Sequence, residues 1–448
     1  MSTYLTRTTG TPTNAKKWTL SFWVKISADF STAEDVVYTG TDGSNEVLLH
    51  RYETDGTLAC KEDTSAQNSI FTYTNSERKF RDNNAWQHWV YAYDSTQSTD
   101  TNRLKVYING VDRRTVETLT ADTKPPLNHE PILNKSGYTF GFGRRSYDGS
   151  NYFKGLLSHV HFIDGVQYDA STFGSTDSTT GEWKINTSPT ISDYGNNGFF
   201  ILKDGNSVTD QSGKGNNFTA YGTLTKTEDC PSNVFATGNP LYNSGGTVTY
   251  SAGNTRFAEA GGQWKTTFST LGASSGKYYA EFKCNGNYMV VGVADFNVTK
   301  SGIADRNFAS TTYISEQGYG YYNGNGDLYY RGSSTSYGAT YGNGDIIGVA
   351  LDCDNNRVFF SKNGVWQNSA DPTNASTGFS MTATNATYGF GLAVQSDEIH
   401  SNFGNGFFNT TAVATNSGNG YAGAEGSSIF NYQPPTGYSA LSTKGLNQ

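Results

Sequence analysis

The fold class predicted here is all-β, two tandem antiparallel β-sandwiches, and three observations predict it. The chain has 448 residues with 51 Gly, 30 Tyr and 26 Phe, but only 35% hydrophobic and 16% charged residues. Aromatic and β-branched residues suit pleated sheets, and glycine supplies the positive φ that tight turns need. Stretches dense in Ala, Leu, Glu and Lys, which favour helices, are absent. Period-two alternation closed by Asn-Gly recurs along the chain, and the length is too great for one ordinary sandwich.

The elements follow in order. Trp18, Leu20, Phe22 and Val24 alternate with Thr19, Ser21, Trp23 and Lys25, which reads as a strand with one face inward. Leu104, Val106 and Ile108 alternate with Lys105 and Tyr107, and the run ends in Asn109-Gly110. Both central residues of a type I′ turn need positive φ, so this dipeptide marks a hairpin. Asp164-Gly165 reads the same way after the strand 157–163. Residues 166–245 alternate poorly and are rich in Ser, Thr, Asn and Gly. Their aromatic content is too high for a free linker, and they read as a connector that contributes strands. From residue 246 strands resume at 277–282, 288–294, 345–351, 357–361 and 388–394, with Asn363-Gly364 closing another hairpin. Residues 411–428 read as a loop. The expected division is a sandwich over 1–165, the connector over 166–245 and a second sandwich over 246–448.

Composition also excludes. The net charge of −8 is spread evenly, whereas nucleic-acid binding needs a clustered basic face. No window approaches 18 consecutive apolar residues, so no membrane insertion is expected. Met1–Gly10 lacks a basic start followed by an apolar core, so no secretory signal is expected. Cys60, Cys230, Cys284 and Cys353 lie far apart without a CxxC pair, a spacing that fits buried free thiols.

Two segments resemble known families. Trp18–Lys25, Trp86-Gln87-His88-Trp89-Val90, Leu104–Gly110 and Phe153–Val160, in that order, resemble the concanavalin-like, laminin-G-like sandwich. Ser275–Phe282, Gly344–Asp352, Val358–Val365, Asn402-Phe403-Gly404 and Phe430–Tyr438 resemble the SPRY domain, with an insertion near 411–428. The pairing, joined through Asp210–Phe218, is similar to virion proteins of marine bacteriophages. That resemblance implies two jelly-roll or lectin-like sandwiches on a virion, assembled in the host cytoplasm and exposed on the particle.

Candidate sites are few. In SPRY-like domains the loops at one end form the recognition surface, so Tyr319, Tyr322 and Arg331 of the Tyr/Gly/Asn segment 319–331 are the expected ligand contacts. Tyrosine offers a flat apolar face with a polar rim. The alternative for this segment is two strands whose tyrosines pack inward. Laminin-G-like folds sometimes hold Ca²⁺ at the rim, and Asp42, Asn45 and Glu46 could supply oxygens. No complete ligand set is visible there, and no cofactor is expected. His159 and His161 read as a solvent-facing pair on one strand. Glycosidase chemistry needs two carboxylates across a cleft. The resemblance would place them on an E-x-D-x-E strand, which this sequence lacks. Gly272–Gly276 matches G-x-S-x-G by letter, but a loop leading into a strand is not a nucleophile elbow. The expected function is therefore non-enzymatic: a virion appendage of tail-fibre or adhesin type that binds host-surface polysaccharide or protein. The alternative is a capsid-decoration or tail-attached protein contacting only other virion proteins. Either would work as a homo-oligomer or in a symmetric array.

Overall fold

The computed structural model describes residues 3–27, 30–42, 45–145, 147–203, 207–242, 248–296, 318–330, 333–382, 386–413 and 420–447, with 67 and 68 as backbone alone. The fold is all-β: among the described residues no helix reaches seven residues, and about 44% of the chain lies in strands. Two compact units form, residues 1–226 and 227–448, so the division falls within the expected connector.

The first unit begins with Tyr4–Thr8 (β1), Lys17–Ile26 (β2), Glu34–Asp42 (β3), Asn45–Tyr52 (β4) and Leu58–Thr64 (β5). Gln67–Thr72 (β6), Gln87–Asp94 (β7), Leu104–Ile108 (β8), Val111–Asp112 (β9) and Thr139–Phe142 (β10) follow. Gly155–Asp164 (β11), Gly174–Thr176 (β12), Trp183–Ile185 (β13), Phe199–Ile201 (β14) and Thr219–Tyr221 (β15) complete it. A seven-stranded sheet runs β15-β1-β10-β3-β4-β5-β6, and a six-stranded sheet runs β14-β11-β2-β7-β8-β9. Alternation builds the core between them. Trp18, Leu20, Phe22 and Val24 of β2 meet Val37, Val47, Leu49 and Phe140 from the other sheet. Each such buried side chain contributes roughly 1.5–3 kcal/mol.

The opposite face of β2 departs from the expected polar exposure, because Thr19, Ser21, Trp23 and Lys25 are buried as well. Residues 166–202 lie across that face, packing Phe173, Tyr168, Trp183, Ile191 and Tyr194 on Val90, Ala92 and Ile163. Asn109 and Gly110 adopt φ of 47° and 81°, as the I′ turn requires. A Cβ on Gly110 would meet the Trp183 ring at 2.3 Å, so glycine is needed there twice over. Asp164-Gly165 makes no hairpin, since β11 lies between β14 and β2. Its carboxylate instead ties three segments together, accepting from Thr13 N (2.6 Å), Asn134 Nδ2 (2.7 Å) and Asn197 N (3.1 Å).

The second unit opens with Val248–Ser251 (β16), Arg256–Glu259 (β17), Lys265–Phe268 (β18), Lys277–Asn285 (β19) and Met289–Asp295 (β20). Gly318–Tyr322 (β21), Asp327–Tyr330 (β22), Ser333–Ser336 (β23), Ile346–Asp352 (β24), Arg357–Lys362 (β25) and Val365–Trp366 (β26) follow. Phe379–Ser380 (β27), Tyr388–Val394 (β28), Glu398–Asn402 (β29), Phe407–Phe408 (β30), Thr411–Ala412 (β31) and Ser439–Ala440 (β32) end it. One sheet runs β16-β17-β29-β19-β24-β25-β26, with β27 on β25 and β32 on β19; the other runs β18-β28-β20-β21-β22-β23. Phe282, Ile347, Val349 and Leu351 face Val291, Val293, Phe390 and Leu392 across the core. Asn363 and Gly364 turn with φ of 49° and 80° into β26. The last strand, β32, returns parallel to β19 and seals a smaller cluster of Tyr279, Phe359, Phe430 and Tyr438.

Candidate functional site

The seven-stranded sheet of the first unit has one face on the core and one turned outward. On β1, Leu5 points inward, so Tyr4 and Thr6 point outward. On β10, Phe140 and Phe142 are inward and Thr139 and Gly141 outward. Register aligns the outward row: Thr219 opposite Thr6, Thr6 opposite Gly141, Gly141 opposite Tyr38. Tyr221 of the edge strand β15 falls opposite Tyr4, and the two rings stack at 4.7 Å and 5°. After β10, Gly143 turns with φ of 91° into a loop tightened by Asp148, which accepts from Ser150 N at 3.0 Å.

Together these residues line an open groove of about 420 Å³. It is lined by Tyr4, Tyr147 and Tyr221, by Thr6, Thr41 and Thr139, and by Arg144 and Gly40. Gly40 is required, because a Cβ would meet the Tyr38 hydroxyl at 2.6 Å. Tyr147 and Tyr221 are 40% and 45% exposed, so part of each is open to a ligand, while Tyr4 lies between Tyr221 and Arg144. Arg144 lies with Cζ 3.5 Å from the Tyr4 ring centroid and donates from Nη1 to the Tyr152 hydroxyl at 3.2 Å. Flat apolar rings with hydroxyl rims, alternating with hydroxyl and guanidinium donors, can stack a pyranose and hydrogen-bond its edge.

The same sheet face carries compensated charges beside the groove. Arg51 grips Asp35 through Nε and Nη2 at 2.6 and 2.9 Å. Glu46 and Asp63 stand opposite each other on β4 and β5, and Lys61 pairs with both. Burial raises the Glu46 carboxyl above its ordinary range, opposed by its hydrogen bond from Tyr38. With Lys61 between them, these carboxylates form an ion-pair network. Glu62, by contrast, is fully buried and accepts from Ile132 N (2.9 Å).

The expected contact residues fare differently. Tyr319 is 1% exposed, and its hydroxyl accepts from Thr382 N at 2.9 Å. Its ring packs on Phe379, so it lies inside the sandwich, as the packing alternative has it. Tyr322 sits half-buried on the other face of β21, edge-on to Trp264 and Tyr329 at 6.1 and 5.7 Å. Arg331 lies outside the described residues. Of the rim oxygens, Asp42 accepts from Asn45 N at 3.0 Å, and Glu46 is held by Tyr38 and Lys61. Among the described residues no group of three or more His, Cys, Asp or Glu side chains could hold a metal ion.

The histidines correct an expectation. His159 and His161 are 1% and 2% exposed, not solvent-facing, because residues 166–202 cover the sheet. A bulge between Ser158 and His161 puts His159 at φ 48°. His161 stacks on Phe200 at 3.8 Å and bonds the Tyr194 hydroxyl at 2.8 Å. Nearby, His88 Nδ1 accepts from Trp183 Nε1 at 3.0 Å, so its proton sits on Nε2, facing Ser21 Oγ at 2.9 Å. Burial, with neighbouring His159, pulls His88 down to about 3.

Comparison with known proteins defines the class. Residues 2–171 match the family described as the concanavalin A-like lectin/glucanases superfamily, and residues 277–404 match the SPRY domain. The chain therefore couples two kinds of domain that typically bind other molecules. Among solved structures it is similar to the SPRY domain of human HERC1, at 19% identity over 33% of this chain and 87% of that one, with a TM-score of 0.27. A human SPRY domain matches at 16% over 35% and 96%, TM-score 0.25. The TRIM65 PSpry domain matches at 11% over 37% and 87%, TM-score 0.28. No curated protein matches the chain.

Proposed function

We propose that this is a non-enzymatic binding protein whose first unit holds a saccharide chain in the groove between Tyr4, Arg144, Tyr147 and Tyr221. The observation that carries this is the groove itself: the exposed tyrosines Tyr147 and Tyr221 beside Thr6, Thr41, Thr139 and Arg144 on one open sheet surface. The ion-paired state of Glu46 and Asp63 favours binding over hydrolysis, since a glycosidase keeps one carboxylate free to attack or activate water. The finer reading is a virion appendage attaching to host-surface polysaccharide, many copies compensating weak single sites. Its support is the succession of lectin-like sandwich, Asp210–Phe218 segment and SPRY-like sandwich, which resembles bacteriophage virion proteins. The test is binding of the full chain, presented multivalently, to bacterial surface polysaccharides. Tyr221→Ala removes an exposed stacking face at a sheet edge and should weaken binding about tenfold, in line with roughly 1–1.5 kcal/mol for an aromatic contact. No binding in the multivalent format, or binding indifferent to Tyr221→Ala, overturns the reading.

A further inference from the structure

We infer that the groove selects an acidic saccharide, with Arg144 holding a carboxylate or sulfate group of the sugar. This rests on the saccharide reading above and adds the charge of the ligand to it.

The groove's lining holds a single formal charge, and it is positive, in a chain whose net charge is −8. Arg51, Arg113 and Arg114 of this unit are matched to carboxylates, Asp35, Glu117 and Asp122, while Arg7 and Arg103 spend their donors on carbonyl and amide oxygens. Even the adjacent Arg145 lies between Asp35 and Asp148. Among the described residues, Arg144 has no carboxylate within ion-pair distance. It spends one hydrogen bond on the Tyr152 hydroxyl, and its Nε is shielded from solvent without a protein acceptor. A guanidinium has five N–H donors in a fixed fork; with Nε shielded and one Nη1 bond made to Tyr152, the remaining Nη donors are left for a ligand.

The side chain is also held in place. Tyr4 lies against its guanidinium plane and Tyr152 fixes one end, which removes much of the rotamer entropy that an exposed arginine would lose on binding. A neutral hydroxyl can accept one bond from this fork. A carboxylate or sulfate accepts two and supplies the missing charge. The tyrosine rims on either side leave the anion beside stacked rings, where a substituent of a pyranose would fall.

The experiment measures binding of the full chain to three immobilised polymers: polygalacturonate (carboxylate), dextran sulfate (sulfate) and unmodified dextran (neutral). Variants are R144Q, R144K, Y221A and, as an equal change of net charge outside the lining, R81Q. Affinity for the acidic polymers should fall at least tenfold in R144Q, partially in R144K and not in R81Q. It should weaken with added salt in the wild type, as a charge pair does. The polymer that binds identifies carboxylate or sulfate as the group. Equal effects of R144Q and R81Q overturn the inference. Dextran bound as tightly as the acidic polymers, and lost in Y221A, overturns it too while the saccharide reading stands. No binding to any polymer overturns both. Wild-type salt dependence decides the matter should R144Q misfold.

Discussion

Glu281 gives the sharpest test of how the second unit is held together. Its carboxylate is fully buried on β19, and among the described residues no cation pairs with it. It accepts from Asn431 N at 2.8 Å, Tyr432 N at 2.7 Å and Asn402 Nδ2 at 3.1 Å, with the Tyr279 hydroxyl at 3.3 Å. It thereby clasps the segment that leads to β32. Burial raises it to about 7, against an ordinary 4.5, the four donors offsetting only part of the desolvation. Between those values the folded chain keeps a proton that the unfolded chain has released. Stability contributed by this group is therefore present below pH 4.5 and lost as pH rises through about 7. The shift is worth roughly 3 kcal/mol in all, of which about 2.5 kcal/mol falls between pH 5 and 8. In Glu281→Gln the amide has no such titration, though its NH₂ must face one backbone N–H, at a cost of about 1–3 kcal/mol. The assay is chemical denaturation of both proteins across that range. Relative to E281Q, the wild type should lose about 2–3 kcal/mol on going from pH 5 to 8. A difference that stays flat, or grows with pH, would mean that the four donors outweigh desolvation and the group is ionised throughout.

The first unit should respond to pH in the opposite sense. His50, His88 and His161 are buried and held neutral, with His88 at about 3, so the unfolded chain takes up protons first and stability is lost as pH falls below 6.5. His88 alone should account for about 2 kcal/mol by pH 5, and His88→Gln should flatten the slope in thermal melts; a slope unchanged by that substitution would exclude it as the cause. Native thiol titration should find at most one reactive cysteine, Cys230. Cys60, Cys284 and Cys353 are buried, and burial raises each of them, Cys60 and Cys353 to about 12. Rapid labelling of two or more thiols in the native protein would contradict this.

Strands were legible wherever the side chains of the two faces differ in polarity. β2, β8 and the Asn-Gly hairpins at 109–110 and 363–364 follow from alternation and from the φ those dipeptides adopt. Faces were harder to assign. In Tyr319-Gly320-Tyr321-Tyr322 no polar alternation marks the inner face, and period two then sends Tyr319 and Tyr321 together into the core. Thr19, Ser21 and Lys25 look like a solvent face until a later segment lies down on them. The groove was illegible for a related reason. Tyr4 and Tyr221 sit at opposite ends of the unit, and only the β1–β15 register makes them a stacked pair.

That pairing shows what residues 166–226 do. They add β14 to the edge of one sheet and β15 to the edge of the other, which covers two edges otherwise open to pairing with another chain. Phe199, Ile201 and Phe218 enter the core, and the turn between the two strands is tied by Asp210, which accepts from Phe200 N, Ser212 N and Asn216 N at 2.8–2.9 Å. The same segment supplies Trp183, which satisfies His88, and Tyr221, which completes the groove. A sandwich ending at residue 165 would keep every motif by which the sequence resembles the concanavalin-like sandwich. It would lack one wall of the groove and the cover that keeps His88 and His161 neutral, so in this unit stability and groove depend on one docked segment.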